Sequence, residues 1–485
     1  MASLKGNIIL NGINTATSLL FPIITFPYAA RVLMPDGIGA VNFLNSVISY
    51  IVLLTSLGIP MYAVKEVAKY RDDRLQRDRI TIEILLLSLL LCIAGYVAVW
   101  LLARFVPQIH SQSALFYVLS LSIVFNTVGV NWFYQAIEDF RFITIRALII
   151  RTLSAAALFI SVKTPSDLLI YGVIIVGSTV GNNIIHLIHL RKIIDLKEIR
   201  LKALNLKRHV RPALQLFIFN LIVSLYLHLN SVMLGFMAGD EQVGFFTAGT
   251  KISHIGLTVL SSIGTVLLPR CSNLLANGED AEFNKVIGKS LDLILCLSLP
   301  MTFGLILLAA PVTMIFCGPE YADAIPVLVL NAPVIIFIGI SNLLGIQILY
   351  PKDKITLVIW SVSVGALVNV ILNILLIPGH GAVGAAISTL FAELSVTAFQ
   401  LMYGRKYYPF ALSALWNARY IGGTAIMSVA LLLLTSFAEG MALQLLVGLP
   451  VGILVYVTSL LVMKDPLLFE TITSLKTTIS NGRKI

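Results

Sequence analysis

The feature that most constrains this chain is a succession of apolar runs, each long enough to cross a lipid bilayer. They lie at 7–30, 38–60, 81–105, 114–137, 143–162, 168–190, 212–236, 244–268, 290–317, 324–349, 355–377, 383–404, 418–438 and 442–463. A hydrocarbon core about 30 Å thick takes about 20 helical residues to cross, so the runs predict about fourteen transmembrane helices in an all-α polytopic membrane protein. Composition agrees with this. Of the 485 residues 58% are apolar and 12% charged, with a mean hydropathy of +0.93, a balance that leaves a soluble globule too little polar surface. The first run, interrupted by Asn11, Asn14, Pro22 and Pro27, is too long and too polar for a cleaved leader and reads as span 1.

The net charge of +10 takes its meaning from where the charges fall. With the N-terminus placed in the cytoplasm, the inner segments take all but five of the 34 basic residues. Outer ends and loops hold Arg31, Arg104 and Lys163, while Arg151 and Lys251 lie inside spans. This positive-inside bias predicts that both termini are cytoplasmic. The basic surface then faces anionic headgroups, and no nucleic-acid partner is needed. The loops are too short for a soluble catalytic domain, and no GxxxxGK[ST] phosphate loop is present, which argues against an ATP-driven pump. No cofactor is expected. Cys92, Cys271, Cys296 and Cys317 are too scattered for a disulfide framework or metal spacing. His186 and His189 lack carboxylate or cysteine companions, so no metal site is expected either.

The chain carries a weak internal repeat at an offset near 205. Asp36-Gly37-Ile38-Gly39, expected in the outer turn between spans 1 and 2, recurs as Glu241-Gln242-Val243-Gly244 between spans 7 and 8. In the preceding spans Asn14 matches Asn220, Ser18 matches Ser224 and Thr25 matches Ser231. The stretch Pro27-Tyr28-Ala29-Ala30-Arg31-Val32-Leu33-Met34-Pro35-Asp36-Gly37-Ile38-Gly39 resembles the PYxxRxLxPxxxG signature of the O-antigen and polysaccharide flippases. These belong to the multidrug/oligosaccharidyl-lipid/polysaccharide exporter superfamily. Phe133-Tyr134-Gln135-Ala136 and the segment Asn373–Ile377 leading into Pro378-Gly379-His380-Gly381 are similar to the same family. The resemblance implies two six-helix lobes around a central lumen, here 1–205 and 206–404, with spans 13 and 14 in 405–463 and a cytoplasmic tail at 464–485. It also implies an undecaprenyl-pyrophosphate-linked oligosaccharide as substrate, carried by alternating access across a bacterial cytoplasmic membrane.

A polar stripe at helical period must face protein or water rather than lipid. Span 1 carries Asn7, Asn11, Asn14, Ser18 and Thr25; span 2 carries Asn42, Ser46, Ser49 and Ser56. Span 8 carries Thr247, Lys251, His254, Thr258 and Ser261, in register with span 2 at offset 205. Such stripes can join helices by hydrogen bonds or line a lumen. On the lumen reading Lys251 and Arg151 are cations for pyrophosphate or acidic sugars, with Arg31 at the outer end. Arg151 and Arg31 can equally anchor at headgroups. Glu393, in the stripe Thr389, Glu393, Thr397 and Gln400, is a candidate for proton or sodium coupling or a static partner of a cation. Glu83 and Asp292, beside Arg79 and Lys289, read as interfacial, and Arg71-Asp72-Asp73-Arg74 with Asp78 as a self-neutralised surface. Two rivals remain open: a cation-coupled drug exporter of the same superfamily, which would need an acidic, aromatic lumen, and a membrane polymerase or glycosyltransferase, which would need a large external loop or an acidic metal motif.

Overall fold

The computed structural model describes the backbone of residues 4–194 and 204–470, and all regular structure there is helical. Two compact units, 1–244 and 245–485, divide the chain. The first contains α1 (Leu4–Ser56), α2 (Ile59–Lys69), α3 (Arg74–Phe105), α4 (Pro107–His110), α5 (Ser113–Val128), α6 (Asn131–Ala136), α7 (Phe140–Ser161), α8 (Leu168–Ile193) and α9 (Lys207–Met237). Helix α10 (Asp240–Ala276) leads into the second, which continues with α11 (Asp280–Leu307), α12 (Ala309–Phe316), α13 (Ala324–Asn331), α14 (Val334–Asn342), α15 (Ile355–Tyr403), α16 (Ala418–Phe437) and α17 (Met441–Val462).

Ten described helical stretches are long and apolar enough to cross a membrane, and two of these, Phe21–Lys69 and Ile355–Tyr403, run for 49 residues. A straight helix of that length would measure about 75 Å, more than twice a hydrocarbon core, so each must bend back. Helix α1 does so at Met34 (φ 62°, ψ 174°). Pro35 excludes the preceding residue from the α region, and Met34 takes an extended ψ in response. The segment Asp36–Gly39, expected to be a turn, is the first turn of the second limb. The backbone stays helical through Pro22 and Pro27. Helix α15 breaks at Gly381 (φ 51°, ψ −129°), a conformation that the missing Cβ permits.

Other expected spans are subdivided at residues that cannot continue a helix. The run 290–317 divides at Leu308 into α11 and α12. Pro311 has no N–H, and its ring would clash with the Leu307 carbonyl if the helix continued. The run 114–137 divides at Gly129 into α5 and α6. In 324–349 a π turn, Leu343–Leu349, follows α13 and α14. Helices α9 and α10 occupy the segments where the sequence places spans 7 and 8.

Inside each unit the core is built from helix faces that close over aromatic and branched residues. Ile80, Ile84, Phe133 and Tyr134 form part of one cluster in the first unit, and Phe283, Leu291, Leu343 and Tyr420 part of another in the second. Outward-facing apolar residues are correspondingly exposed: Ile160 by 73% and Phe437 by 82%. In water such exposure would favour aggregation, whereas here it forms the surface presented to lipid. All four cysteines are buried, as small apolar packing residues.

The side chain of Glu83 is fully buried. Its carboxylate accepts from Arg79 Nε (3.1 Å), Arg208 Nη2 (2.5 Å), the Asn205 main-chain N–H (2.9 Å) and His209 Nε2 (2.8 Å). The other ring nitrogen, His209 Nδ1, bonds Tyr62 Oη at 2.7 Å. This network fastens the start of α9 to α2 and α3. The sequence hides it, because His209 and Arg208 are more than a hundred residues away from Glu83. Of the aspartates nearby, Asp73 caps α3 by accepting from the Gln76 N–H (3.1 Å), while Asp78 is buried and paired with Arg77 (2.7 Å) rather than solvated.

Candidate functional site

A polar-lined cavity of about 720 Å³ lies in the first unit, where the end of α1 and α2 meet α3, α5, α6 and α8. Its shape begins with Gly129. A Cβ there would overlap the Asn183 amide, so the glycine both ends α5 and admits Asn183 of α8 against the break. The chain turns over Val130 and restarts as α6, so that Asn126 and Thr127 of α5 and Asn131 and Gln135 of α6 all line the cavity. Trp132 and Ile59 supply apolar walls, and Lys65 of α2 brings a cation.

The hydroxyls lining this space are already engaged as donors. Thr55 Oγ1 donates to the Ile51 carbonyl (2.9 Å), Ser56 to Leu53 (3.0 Å), Ser88 to Ile84 (2.9 Å) and Thr127 to Ile123 (2.8 Å). They therefore offer lone pairs to a guest, while the amides of Asn126, Asn131 and Gln135 and the Lys65 ammonium supply N–H groups. Asn131 Oδ1 is buried without a hydrogen-bond partner. A wall of amides and acceptors beside an indole suits a polyhydroxylated guest, and among the described lining residues there is no carboxylate to attract a cation.

Sequence reasoning missed this cavity because its residues sit at a helix break and on short α6, not on a long stripe. The signal that could have found it is the spacing of Asn126, Thr127, Asn131 and Gln135 around Gly129 inside an otherwise apolar run. In the Phe133-Tyr134-Gln135-Ala136 motif only Gln135 lines the cavity. Tyr134 is buried, donates to the His186 carbonyl (2.8 Å) and stacks on the rings of His186 and His189.

The residues singled out from the sequence are distributed as follows. The side chains of Asn11 and Asn14 lie outside the described ones. Asn42 and Ser49 donate to their own helix, at Ile38 (2.7 Å) and Asn45 (2.7 Å), and Ser46 is buried. Arg31 is exposed at the end of the first limb of α1. Arg151 of α7 is half-buried and donates from Nη1 to Thr17 Oγ1 on α1 at 2.9 Å. On α10, Thr247 is buried, Lys251 half-buried and His254 exposed, while Thr258 donates to the His254 carbonyl at 2.9 Å. Glu393 is buried. Its neighbours on the stripe hold α15 to adjacent elements: Thr397 Oγ1 donates to the Phe337 carbonyl of α14 (3.0 Å), and Gln400 Nε2 to Ser361 Oγ of the first limb (2.9 Å). No cluster of three or more metal-ligating side chains occurs among the described residues.

Fold and composition together define a multi-pass, all-helical membrane protein. Its fold is similar to that of the structure described as "Lipid II flippase MurJ, inward closed conformation", with a TM-score of 0.74 and 17% identity over 94% of this chain and 99% of that one. It is also similar to an inward-facing multidrug resistance MATE family transporter of the MOP superfamily, with a TM-score of 0.65 and 14% identity over 82% and 97% of the two chains. In sequence it is 27% identical to the Escherichia coli (strain K12) protein named "Putative O-antigen transporter", over 83% of this chain and 97% of that relative. The model of the polysaccharide biosynthesis protein family matches residues 3–275, and the chain belongs to that family.

Proposed function

We propose that the protein is a flippase that moves oligosaccharide units linked to undecaprenyl pyrophosphate from the inner to the outer leaflet, for assembly of a surface polysaccharide such as O-antigen. The observation that carries this reading is the amide-lined cavity of about 720 Å³ inside a membrane-spanning bundle. Lipid cannot solvate a glycan, and a pyrophosphate without partners is prohibitive to bury. A polar path that the glycan enters, while the polyprenyl tail stays in the bilayer, avoids both costs. Family membership and the flippase-like fold support the same class of cargo.

In this reading Lys251 and Arg151 neutralise the pyrophosphate, with Arg31 at the outer end, and Asn42, Ser46, Ser49, Thr247, His254 and Thr258 line the route with Asn11 and Asn14. The two lobes, 1–205 and 206–404, alternate access, and Glu393 is the residue through which a proton or sodium ion couples to the cycle. The protein sits in the cytoplasmic membrane of a bacterium with both termini inside. A cationic-drug exporter is disfavoured by the lack of a carboxylate among the described residues of the cavity.

The test is deletion of the gene in its host, with surface polysaccharide and lipid-linked oligosaccharide measured leaflet by leaflet. Finished units accumulating on the cytoplasmic side while surface glycan falls support transport of that cargo. An unchanged pool and unchanged surface glycan, together with new sensitivity to cationic drugs, would replace this reading with the exporter.

A further inference from the structure

Arg146 of α7 is 93% removed from solvent, its relative exposure being 7%. No ion pair to it occurs among the described residues. Among the described residues its guanidinium makes one long bond, Nη1 to the Asn182 carbonyl of α8 at 3.3 Å, and lies 5.6 Å from the centre of the Phe142 ring. Nε is buried without a partner. A buried charge is tolerated when it is paired and hydrogen-bonded. This one has an unused donor and no counter-ion within the described protein.

Arg146 lines a groove of about 410 Å³ between α7 and α8. Beyond it the floor is apolar: Ile145, Ile149 and Ile185. Ile145 is exposed by 45% and Ile149 by 53%, so the groove opens on the surface that faces lipid. At the other end stand Arg141 and Asp139. Asp139 is occupied as the cap of α7, accepting from the Phe142 N–H at 3.1 Å. Arg146 is less than two helical turns from the start of α7, at the depth where an interfacial phosphate meets hydrocarbon.

We propose that this groove is a binding site for an anionic glycerophospholipid, its phosphate on Arg146 and Arg141 and one acyl chain along Ile145, Ile149 and Ile185. A guanidinium fork matches phosphate geometry, and the bilayer supplies that ligand from the side on which the groove opens. The site is separate from the amide-lined cavity, and its isoleucine floor offers a sugar no hydrogen bond. Occupancy provides the counter-charge that Arg146 lacks.

The test is native mass spectrometry of the full-length protein, delipidated in detergent and titrated with phosphatidylglycerol. Arg146→Ala should lose the tightest lipid adduct. Ile149→Trp, a change at a lipid-facing residue that the core does not depend on, should lose it too by filling the groove, while both variants keep wild-type elution on size exclusion. An adduct that survives Ile149→Trp and Arg146→Ala overturns the proposal. So does displacement of phosphatidylglycerol by inorganic phosphate, which would reduce the site to a free-anion pocket. Preferential displacement by a polyprenyl pyrophosphate would assign the groove to transported cargo instead.

Discussion

Gly39 and Gly244 face one another, each lying against the main-chain carbonyl of the residue four positions before the other. A Cβ on Gly39 would overlap the Asp240 carbonyl, and a Cβ on Gly244 would overlap the Pro35 carbonyl. The contact is therefore reciprocal. It joins the start of the second limb of α1 to the start of α10, where only a residue without a side chain lets the backbones touch.

Replacing either glycine should be costly in proportion to that contact. Gly39→Ala and Gly244→Ala are each expected to lower stability by about 1–3 kcal/mol, as overpacking does, against the roughly 1 kcal/mol gain that alanine would bring to an unconstrained helix. Because both changes break the same contact, the double variant should cost less than the sum. Thermal unfolding in detergent measures all three; additive effects, or stabilisation by either alanine, would refute the reciprocal contact.

Asn131→Ala removes an amide from the cavity wall without disturbing a bond within the protein that involves its Oδ1. One lost hydrogen bond to cargo corresponds to about 0.5–1.5 kcal/mol, or roughly a two- to thirteenfold fall in export. Surface-glycan quantification at matched protein level checks this, with Asn131→Gln keeping more activity than alanine.

Lys251→Ala and Arg151→Ala should each abolish or strongly reduce export while the protein still inserts. Arg151→Lys keeps the charge but loses the fork that reaches Thr17, and should be intermediate. Wild-type export by Lys251→Ala would remove that residue from the mechanism.

Glu83→Ala should be the most destabilising of these changes, by about 3 kcal/mol or more, because it withdraws the acceptor shared by Arg79, Arg208 and His209 and leaves their charge and N–H groups unpaired. The readout is the melting temperature together with the yield of inserted protein. Glu83→Gln, which keeps the shape and an acceptor oxygen but not the charge, should fall between alanine and wild type.

Asp240 provides a pH signature outside the spans. Burial, reinforced by Asp36 and opposed by the hydrogen bond from Gln112 Nε2, holds its carboxyl above the ordinary 3.8. The folded protein thus binds this proton more tightly than the unfolded chain. That contribution to stability is complete below the ordinary value and is lost as pH rises through the folded one. Asp240→Asn should raise the melting temperature at neutral pH and leave it unchanged in acid. A gain that does not fade on acidification would disprove the assignment.

Helical membrane architecture was legible from the sequence because apolar run length alone sets it. Local breaks were less so: Met34, Leu308 and Gly129 end helices through conformations imposed by a following proline, a proline clash one turn back or an approaching side chain, and the last of these, Asn183 against Gly129, requires knowing a distant neighbour. For the candidate site, the stripes on α1 and α10 were readable as polar faces, yet periodicity could not separate hydroxyls already bonded to their own helix from amides free to meet a guest. The burial of Glu83 was hidden for a related reason. Its nearest charge in sequence, Arg79, suggested a surface pair, whereas burial came from His209 and Arg208 on a distant segment.

The corner at Met34 bears on how this molecule can move. Two long limbs joined by one residue have only its φ and ψ as a joint, and Pro35 fixes its own φ and confines the ψ of Met34. The angle between the limbs is therefore stiff. Any reorientation of the first limb must either carry the second with it as a single bent lever or be absorbed within the first limb at Pro22 and Pro27, where the helix lacks main-chain bonds.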